Sequence, residues 1–331
     1  MNRRKVLGLV GGAVAWPLAA RGQKIADVRH VGVLMGGDGK DPEVRTQLAG
    51  FVQRLAELGW SEGHNLRLEV RWSGSNVDQI RTVARELVAS RPDVILAAST
   101  PVTAALHRET QTIPIVFVVV SDPVGDGFVA SLAHPGGNIT GFLHTENAIG
   151  TKMFQLLHQI APGIKRVATL FNPDTAPGGG TYYFRDLEIA AQSSQIEPIA
   201  ARVRSDAEIE TVMTSLGARS GGGLIVLPDP FMFAREKTIV SLATRTNVPA
   251  IYPWKFVVTR DGGLLSYGPD LVDIVRRGAT YVDQVLRGVK PADLPVQVPI
   301  KFEMTVNART AKALGLAVPL SIALAADEVI D

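Results

Sequence analysis

The sequence predicts an α/β protein of two lobes, each built on a parallel sheet and joined to the other by a hinge. From Arg29 onward, short runs rich in Val, Ile and Leu alternate with longer segments of helical period, which is typical of a parallel sheet covered by helices on both faces. The alternation stops at the turn signal Pro135-Gly-Gly-Asn138 and then starts again. With 331 residues, of which 46% are hydrophobic, the chain is long enough to form two cores.

The first lobe is expected over residues 29–141. Each of its strands leads into a helical pattern, and Gly59 and Pro92 stand near helix ends. The predicted strands are His30–Met35, Leu66–Trp72, Val94–Ala98 and Ile115–Val120, and the predicted helices are Glu43–Leu58, Val77–Ser90 and Val102–Thr110. A further short strand, Ile139–Leu143, follows the turn signal.

The second lobe is expected over residues 142–252. Its predicted helices are Thr151–Ile160, Phe184–Ser194, Asp206–Leu216 and Glu236–Thr246, and its strands are Arg166–Phe171, Ile196–Val203, Gly223–Leu227 and Pro249–Tyr252. Part of the remaining segment, 253–331, is expected to complete each lobe, with strand Gly263–Tyr267 and helix Leu271–Arg287 returning to the first lobe before the chain recrosses. The hinge is predicted near Gly141 and Tyr252.

The first 22 residues resemble an export signal. Basic residues at Asn2-Arg-Arg-Lys5 precede a small and apolar run, and Ala20-Arg-Gly22 offers a small-x-small cleavage site. A membrane anchor is the alternative, but the run is shorter than the roughly 20 residues that a spanning helix needs. We therefore expect export to the periplasm with cleavage near Gly22, by either the general or the twin-arginine route.

Charge and cysteine content exclude several classes of function. The formal net charge of +2 becomes about −2 once the signal, with its four basic residues and no acid, is removed, so a nucleic-acid partner is not expected. The sequence has no cysteine, which excludes disulfides, a thiol nucleophile and thiolate metal sites.

Two apolar strands end at the dipeptide Asp-Pro, at Asp122 and at Asp229. Asp is a favoured N-cap and Pro a favoured first helical residue, so each dipeptide predicts a tight strand-to-helix turn. Such turns lie at the carboxyl ends of parallel strands, where open α/β sheets hold their ligands and helix starts favour anions. The polar residues at four such ends are candidate ligand contacts: Ser99, Thr100, Ser121, Asp122, Asn172 and Asp229. Each could also act only as a helix cap.

No motif for catalysis, a metal or a cofactor is found. The six histidines never stand at two-ligand helical spacing, and neither GxSxG nor HExxH occurs. Gly36-Gly-Asp-Gly39 matches no nucleotide-binding motif and more simply forms a turn with Asp38 near the cleft. The pattern supports binding and not an enzyme.

The ordered motifs resemble a known family, the exported substrate-binding proteins of ABC transporters described as tryptophan/tyrosine transport substrate-binding proteins. The resemblance runs from about Arg29 to the C-terminus. It is carried by Leu58-Gly-Trp60, Ile113-Pro-Ile-Val116, Asp122-Pro-Val124, Pro135-Gly-Gly-Asn-Ile-Thr-Gly141, Asn172-Pro173, Asp229-Pro-Phe231, Pro249-Ala-Ile-Tyr252, Ser266-Tyr-Gly268 and Lys290-Pro-Ala-Asp-Leu-Pro295.

This resemblance implies two Rossmann-like lobes in the type I periplasmic binding protein arrangement. It also implies a monomer that captures a small solute between the lobes and delivers it to an ABC permease in the inner membrane. A sensor-type binding protein that signals to a membrane receptor is the alternative, and a hydrolase is disfavoured by the missing nucleophile and metal signatures.

The mixture of polar groups at the strand ends favours a zwitterionic solute. Asp122 and Asp229 could hold an ammonium group, whereas Ser99, Thr100 and the helix starts could hold a carboxylate. Aromatic side chains near the second junction could add flat apolar surface or could pack between the lobes. These residues are Tyr252, Trp254 and Tyr267. The hypothesis is that the solute is an amino acid or, more narrowly, an aromatic amino acid.

Overall fold

The computed structural model describes residues 28–74, 76–146 and 148–331. The predicted export signal, 1–22, lies outside the described residues. Within the described part of the chain, no helix is long and apolar enough to cross a membrane.

The first lobe contains a five-stranded parallel sheet in the order β2-β1-β3-β4-β5. Its strands are β1 (Arg29–Met35), β2 (Leu66–Trp72), β3 (Val94–Ala98), β4 (Ile115–Val120) and β5 (Ile139–Leu143). Three helices follow the first three strands: α1 (Pro42–Glu57), α2 (Val77–Ala89) and α3 (Thr100–Glu109). Helices cover both faces, so the central strand β3 is buried along its whole length. The edge strand β5 is buried as well.

The second lobe contains a seven-stranded sheet in the order β12-β11-β10-β9-β8-β6-β7, parallel except where β10 meets β11. Its strands are β6 (Arg166–Phe171), β7 (Glu197–Arg202), β8 (Gly222–Val226), β9 (Ala250–Tyr252), β10 (Leu265–Pro269), β11 (Phe302–Asn307) and β12 (Glu328–Ile330). The remaining helices are α4 (Ile149–Ile160), α5 (Thr181–Ser193), α6 (Asp206–Gly217), α7 (Pro230–Phe233), α8 (Glu236–Arg245), α9 (Lys255–Thr259), α10 (Leu271–Leu286), α11 (Ala308–Ala313) and α12 (Leu320–Ala325).

The C-terminal segment divides between the lobes differently from the prediction. Strand β10 was expected in the first lobe, but it pairs with β9 and β11 in the second sheet. Helix α10 packs on the first lobe, where Arg276 forms an ion pair with Glu57 of α1 at 2.8 Å and Trp60 Nε1 donates to Asp283 at 2.8 Å. The stretch after α10 also joins this lobe, since the N–H of Gln297 donates to the carbonyl of Gly141 in β5. The antiparallel partner of β10 is β11, which follows only after α10. The local sequence pattern around β10 therefore does not reveal this pairing.

The chain passes between the lobes at places other than the predicted hinge residues. Gly141 lies inside β5, where a Cβ would overlap the carbonyl oxygen of Phe117, and Tyr252 is buried inside β9. The connections run instead between β5 and α4, at Asp270 between β10 and α10, and through 298–301 before β11. Asp270 and Lys301 tie two of these connections together, because Lys301 Nζ lies 2.7 Å from Asp270 Oδ2 and the Asp270 N–H donates to the Lys301 carbonyl.

Candidate functional site: a cavity between the lobes

A cavity of about 680 Å³, measured with its opening to solvent, lies between the carboxyl edges of the two sheets. Residues after β1, β3 and β4 form one wall, and residues after β6, β8, β9 and β10 form the other. The position at the strand ends is the one that the Asp-Pro turns predict.

Two neighbouring strand ends in the cavity wall have strained backbones. Ser99, directly after β3, has φ 104° and ψ 156°, a combination that is favourable for glycine alone. Val119, at an irregularity in the pairing of β4 with β5, has φ 58°, which is rare for a β-branched residue. Each such residue costs about 1–3 kcal/mol and persists only where its surroundings hold it. Strain at two adjacent positions of one cavity indicates a functional site.

Three buried polar atoms that belong to cavity-lining residues have no hydrogen-bond partner. They are Ser99 Oγ, His144 Nδ1 and Trp254 Nε1. Because buried polar atoms are nearly always paired in native proteins, these three groups are candidate contacts for a bound solute. Burial lowers the pKa of His144 to about 4, so its ring is neutral at physiological pH and can donate or accept according to its tautomer.

The start of α3 adds an anion-binding group to the same wall. Ser99 is the N-cap, yet its hydroxyl makes no capping hydrogen bond, so the first N–H groups of the helix lack both an intrahelical and a side-chain acceptor. The positive end of the helix dipole and these donors favour a carboxylate.

On the opposite wall, Asp229 is 2% exposed and accepts four hydrogen bonds, two of them from the start of α7. Its carboxylate accepts from the N–H groups of Phe231, Met232 and Asn172 at 2.8, 3.0 and 3.0 Å, and from Thr175 Oγ1 at 3.1 Å. Burial raises the pKa of Asp229 to about 6 despite these donors. The residue therefore acts both as a cap and as a cavity wall.

The two lobes meet directly at Ser121 and Tyr183. The Ser121 hydroxyl, at the end of β4, and the Tyr183 hydroxyl, on α5, lie 2.6 Å apart and are buried. Burial raises the pKa of Tyr183, so it stays neutral. Since Ser121 also lines the cavity, this contact closes the cavity on one side.

The structure brings four of the predicted contact residues to the cavity and places one directly behind it. Ser99, Thr100, Ser121 and Asp229 line the cavity. Asn172 caps the next turn and donates its N–H to Asp229.

The structure places the other four predicted contact residues away from the cavity. Asp38 is exposed and accepts from the N–H of Lys40. Asp122 accepts from the N–H of Gly125 at 2.8 Å within a turn, and the helix predicted to start there is not formed, since β4 leads to β5 without one. Tyr252 is enclosed in the second sheet. The Tyr267 ring stacks on Phe302 with centroids 5.7 Å apart. The two Asp-Pro turns are thus not equivalent.

Sequence reasoning missed His144, Gln47 and Thr175 as residues of the cavity. A single histidine without motif spacing carries no local signal, and Gln47 is a lone polar residue on the otherwise apolar buried face of α1. Thr175 could have been found, since it follows the Asn172-Pro173 turn directly.

Two arrangements typical of catalytic sites, a metal-binding cluster and a serine paired with a histidine, are not found in the part of the chain that the structure describes. Within 28–74, 76–146 and 148–331, no group of three or more His, Cys, Asp or Glu side chains could hold a metal ion. In those same ranges, no serine hydroxyl is hydrogen-bonded to a histidine ring.

Two α/β lobes with a cavity between their carboxyl edges define a two-lobed solute-binding protein. A family model for ABC transporter substrate-binding proteins matches residues 31–330, and the chain belongs to this family. The predicted family is confirmed, and it is one of substrate-binding proteins that are exported.

Relatives and solved structures agree with this assignment. The chain is 25% identical over 277 residues to a tyrosine-binding protein of Clostridioides difficile (strain R20291), a match that covers 83% of this chain and 78% of that protein. A conserved domain protein from Vibrio cholerae has 26% identity and a TM-score of 0.83, covering 92% of this chain and all of the other. The ABC domain from Streptococcus pneumonia in complex with L-Trp also has a TM-score of 0.83, with 24% identity, 91% coverage of this chain and 99% of that chain. The predicted type I periplasmic binding protein fold is confirmed.

Replacing Ser99 with glycine is expected to separate stability from binding. Glycine relieves the backbone strain, so the free energy of unfolding should rise by about 1 kcal/mol after the entropic cost of glycine is subtracted. Loss of the hydroxyl should weaken solute binding by about 1 kcal/mol, or fivefold to tenfold. Thermal melts of the solute-free protein and calorimetric titration measure the two effects. Ser99→Ala, which loses the hydroxyl and keeps the strain, is the control, and a glycine variant that binds like wild type contradicts the prediction.

Proposed function

We propose that this protein captures a zwitterionic aromatic amino acid between its lobes and delivers it to an ABC permease in the inner membrane. The observation that carries the proposal is the set of unpaired polar atoms in one largely apolar cavity: Ser99 Oγ, His144 Nδ1 and Trp254 Nε1. The relatives that bind tyrosine and L-Trp support the same class of solute.

The cavity offers a place for each part of such a solute. The uncapped start of α3 and the Ser99 hydroxyl suit the α-carboxylate. Asp229, in the facing wall, offers the negative charge that suits the ammonium group. Trp254 and Phe233, whose ring centroids lie 5.2 Å apart at 75°, form an aromatic wall for the side chain.

We further infer that the solute is released unchanged, that the protein acts as a monomer, and that export follows cleavage near Gly22. The Ser121 hydroxyl is paired with Tyr183 and His144 Nδ1 has no hydrogen-bond partner, so the two residues do not form a nucleophile with its base. No metal or cofactor is part of the proposed function.

A thermal-shift assay on the chain that begins at Gln23 tests this proposal. L-Tyrosine or L-tryptophan at about 100 times its dissociation constant should stabilise the protein by about 2.7 kcal/mol. Neutral sugars and L-alanine are the controls, because the first lack the zwitterion and the second lacks the ring. Stabilisation by sugars alone would reject an amino acid, and equal stabilisation by L-alanine would reject the aromatic requirement.

A further inference from the structure

One arginine and four carboxylates meet where the start of α1 in the first lobe faces α8 and α9 in the second. Arg260, just after α9, binds Asp261 with its Nη2 2.7 Å from Oδ2, and the same nitrogen lies 3.6 Å from Glu236 Oε2. Across the lobe boundary, Arg260 Nη1 lies 3.9 Å from Asp41 Oδ1. Glu43 of α1 joins the same group, since its charge interacts with those of Arg260, Asp41 and Asp261. We call these five residues the interlobe cluster.

Negative charge in the interlobe cluster is only partly neutralised. Glu236 is 2% exposed, and neither of its carboxylate oxygens has a hydrogen-bond partner. Its position as the first residue of α8 places it at the positive end of that helix, which offsets part of the burial cost. Tyr252, which also faces the cluster, is buried and neutral and adds no charge. Among the described residues, Arg260 is the one cation that faces these acids.

We propose that the interlobe cluster is a proton-sensitive latch: closing the lobes takes up a proton, so that acid favours the closed arrangement. Opening must carry Asp41 and Glu43 away from Arg260, because they belong to the other lobe. Closing returns two carboxylates to a site that already holds Glu236 and Asp261. One cation cannot balance four anions there, and the excess charge is removed most simply by protonation.

The sign of the effect follows from the carboxyl groups of the cluster. Burial raises the pKa of Glu43 in the closed arrangement; Arg260 opposes this rise, and Asp41 and Asp261 add to it. Burial also raises the pKa of Glu236, against the opposing effect of Arg260. A group with a raised pKa in one state stabilises that state below its ordinary pKa and loses this contribution as pH rises through the raised value. The closed arrangement should therefore gain as pH falls from neutral, by at most about tenfold per pH unit for one proton.

The test measures closure in the solute-free protein, so its result does not depend on which solute the cavity takes. The sequence has no cysteine, and a pair of introduced cysteines can therefore carry two fluorescent labels without background. The substitutions Thr112→Cys and Gln192→Cys place one label on each lobe. Both positions are exposed, and they precede β4 and β7 at the amino ends of the strands, on the side of each sheet that is opposite the cleft. Energy transfer between them reports the angle between the lobes.

The expected result is a closed fraction that rises as pH falls from about 8 to about 5. Glu43→Gln should raise the closed fraction at the upper end and flatten the pH dependence, whereas Arg260→Gln should lower it and steepen the dependence. Glu197→Gln, an exposed carboxylate on β7, is the matched control. Asp126 and Asp229 also have raised pKa values, so the differences between variants isolate the cluster.

A merely structural role would act differently on these measurements. Loss of packing would lower the melting temperature and shift Glu43→Gln and Arg260→Gln in the same direction. A pH-independent closed fraction, or a Glu43→Gln variant that behaves like Glu197→Gln, would overturn the latch. Opposite shifts in the two cluster variants support it.

Discussion

Asp229→Ala is expected to cause the largest loss of both folding stability and solute binding. The substitution leaves the N–H groups of Asn172, Phe231 and Met232 without their acceptor in a buried site. A buried donor without a partner costs about 1–3 kcal/mol, and partial relaxation brings the total to roughly 3–5 kcal/mol. Binding should weaken by a further 2–5 kcal/mol, roughly, because the solute loses its charge partner. Thermal melts and calorimetric titration measure these losses.

Asp122→Ala is the matched control, since it removes the aspartate of the other Asp-Pro turn. Asp122 accepts one hydrogen bond, from Gly125, and lies outside the cavity. Loss of this hydrogen bond should cost about 1 kcal/mol of stability and leave affinity unchanged. Equal losses of affinity in the two variants would contradict the distinction that the structure makes between the two turns.

The pH dependence of stability gives an independent check on Asp229. Burial raises its pKa in the folded protein to about 6, so its contribution to stability is present below the ordinary carboxyl pKa and is lost as pH rises through about 6. Asp229→Ala should abolish this part of the pH dependence. If the variant and wild type show the same pH profile, Asp229 does not titrate in this range.

Trp254→Ala is expected to have the second largest effect. The Trp254 ring stacks on Phe256 with centroids 6.1 Å apart at 12° and contacts Phe233 edge to face. Removing a buried tryptophan typically costs about 3–5 kcal/mol of stability. It also removes the aromatic wall of the cavity, which should weaken binding of an aromatic solute by about 2 kcal/mol, roughly thirtyfold.

Trp254→Phe separates the ring from its N–H group. Phenylalanine keeps the stacked wall and removes the unpaired indole donor, so the solute-free protein should melt at nearly the wild-type temperature. Affinity should fall by about 1 kcal/mol if the solute accepts a hydrogen bond from this donor. An unchanged affinity would show that Trp254 contributes apolar surface alone.

The periodicity of the sequence predicted most strands and helices because each parallel strand is a short apolar run followed directly by its own helix. Strand β10 was misplaced because its partner β11 follows only after α10, and antiparallel pairing across such a distance leaves no local pattern. The predicted hinge residues were misplaced for a related reason. Gly141 was interpreted as a flexible joint, whereas its missing side chain allows β5 to approach the backbone of β4.

The strand-end residues of the site were predictable, but the choice among them was not. Asp122 and Asp229 stand in the same dipeptide, yet only Asp229 caps a helix and lines the cavity, whereas Asp122 stays in a turn outside it. The strain at Ser99 and Val119 has no signal in sequence, since neither residue type favours its observed backbone conformation. His144 enters the cavity only because the first crossing between the lobes passes beside it.

The packing of α10 on α1 determines the order in which the first lobe can fold. Trp60 and Asp283, which join these helices, lie 223 residues apart in sequence. At the roughly 5–20 residues per second of synthesis, the partner of Trp60 appears about 10–45 s later. During that interval the face of the first sheet that α10 covers stays open to solvent. The first lobe, although it is made first, can reach its native packing only after most of the second has been synthesised.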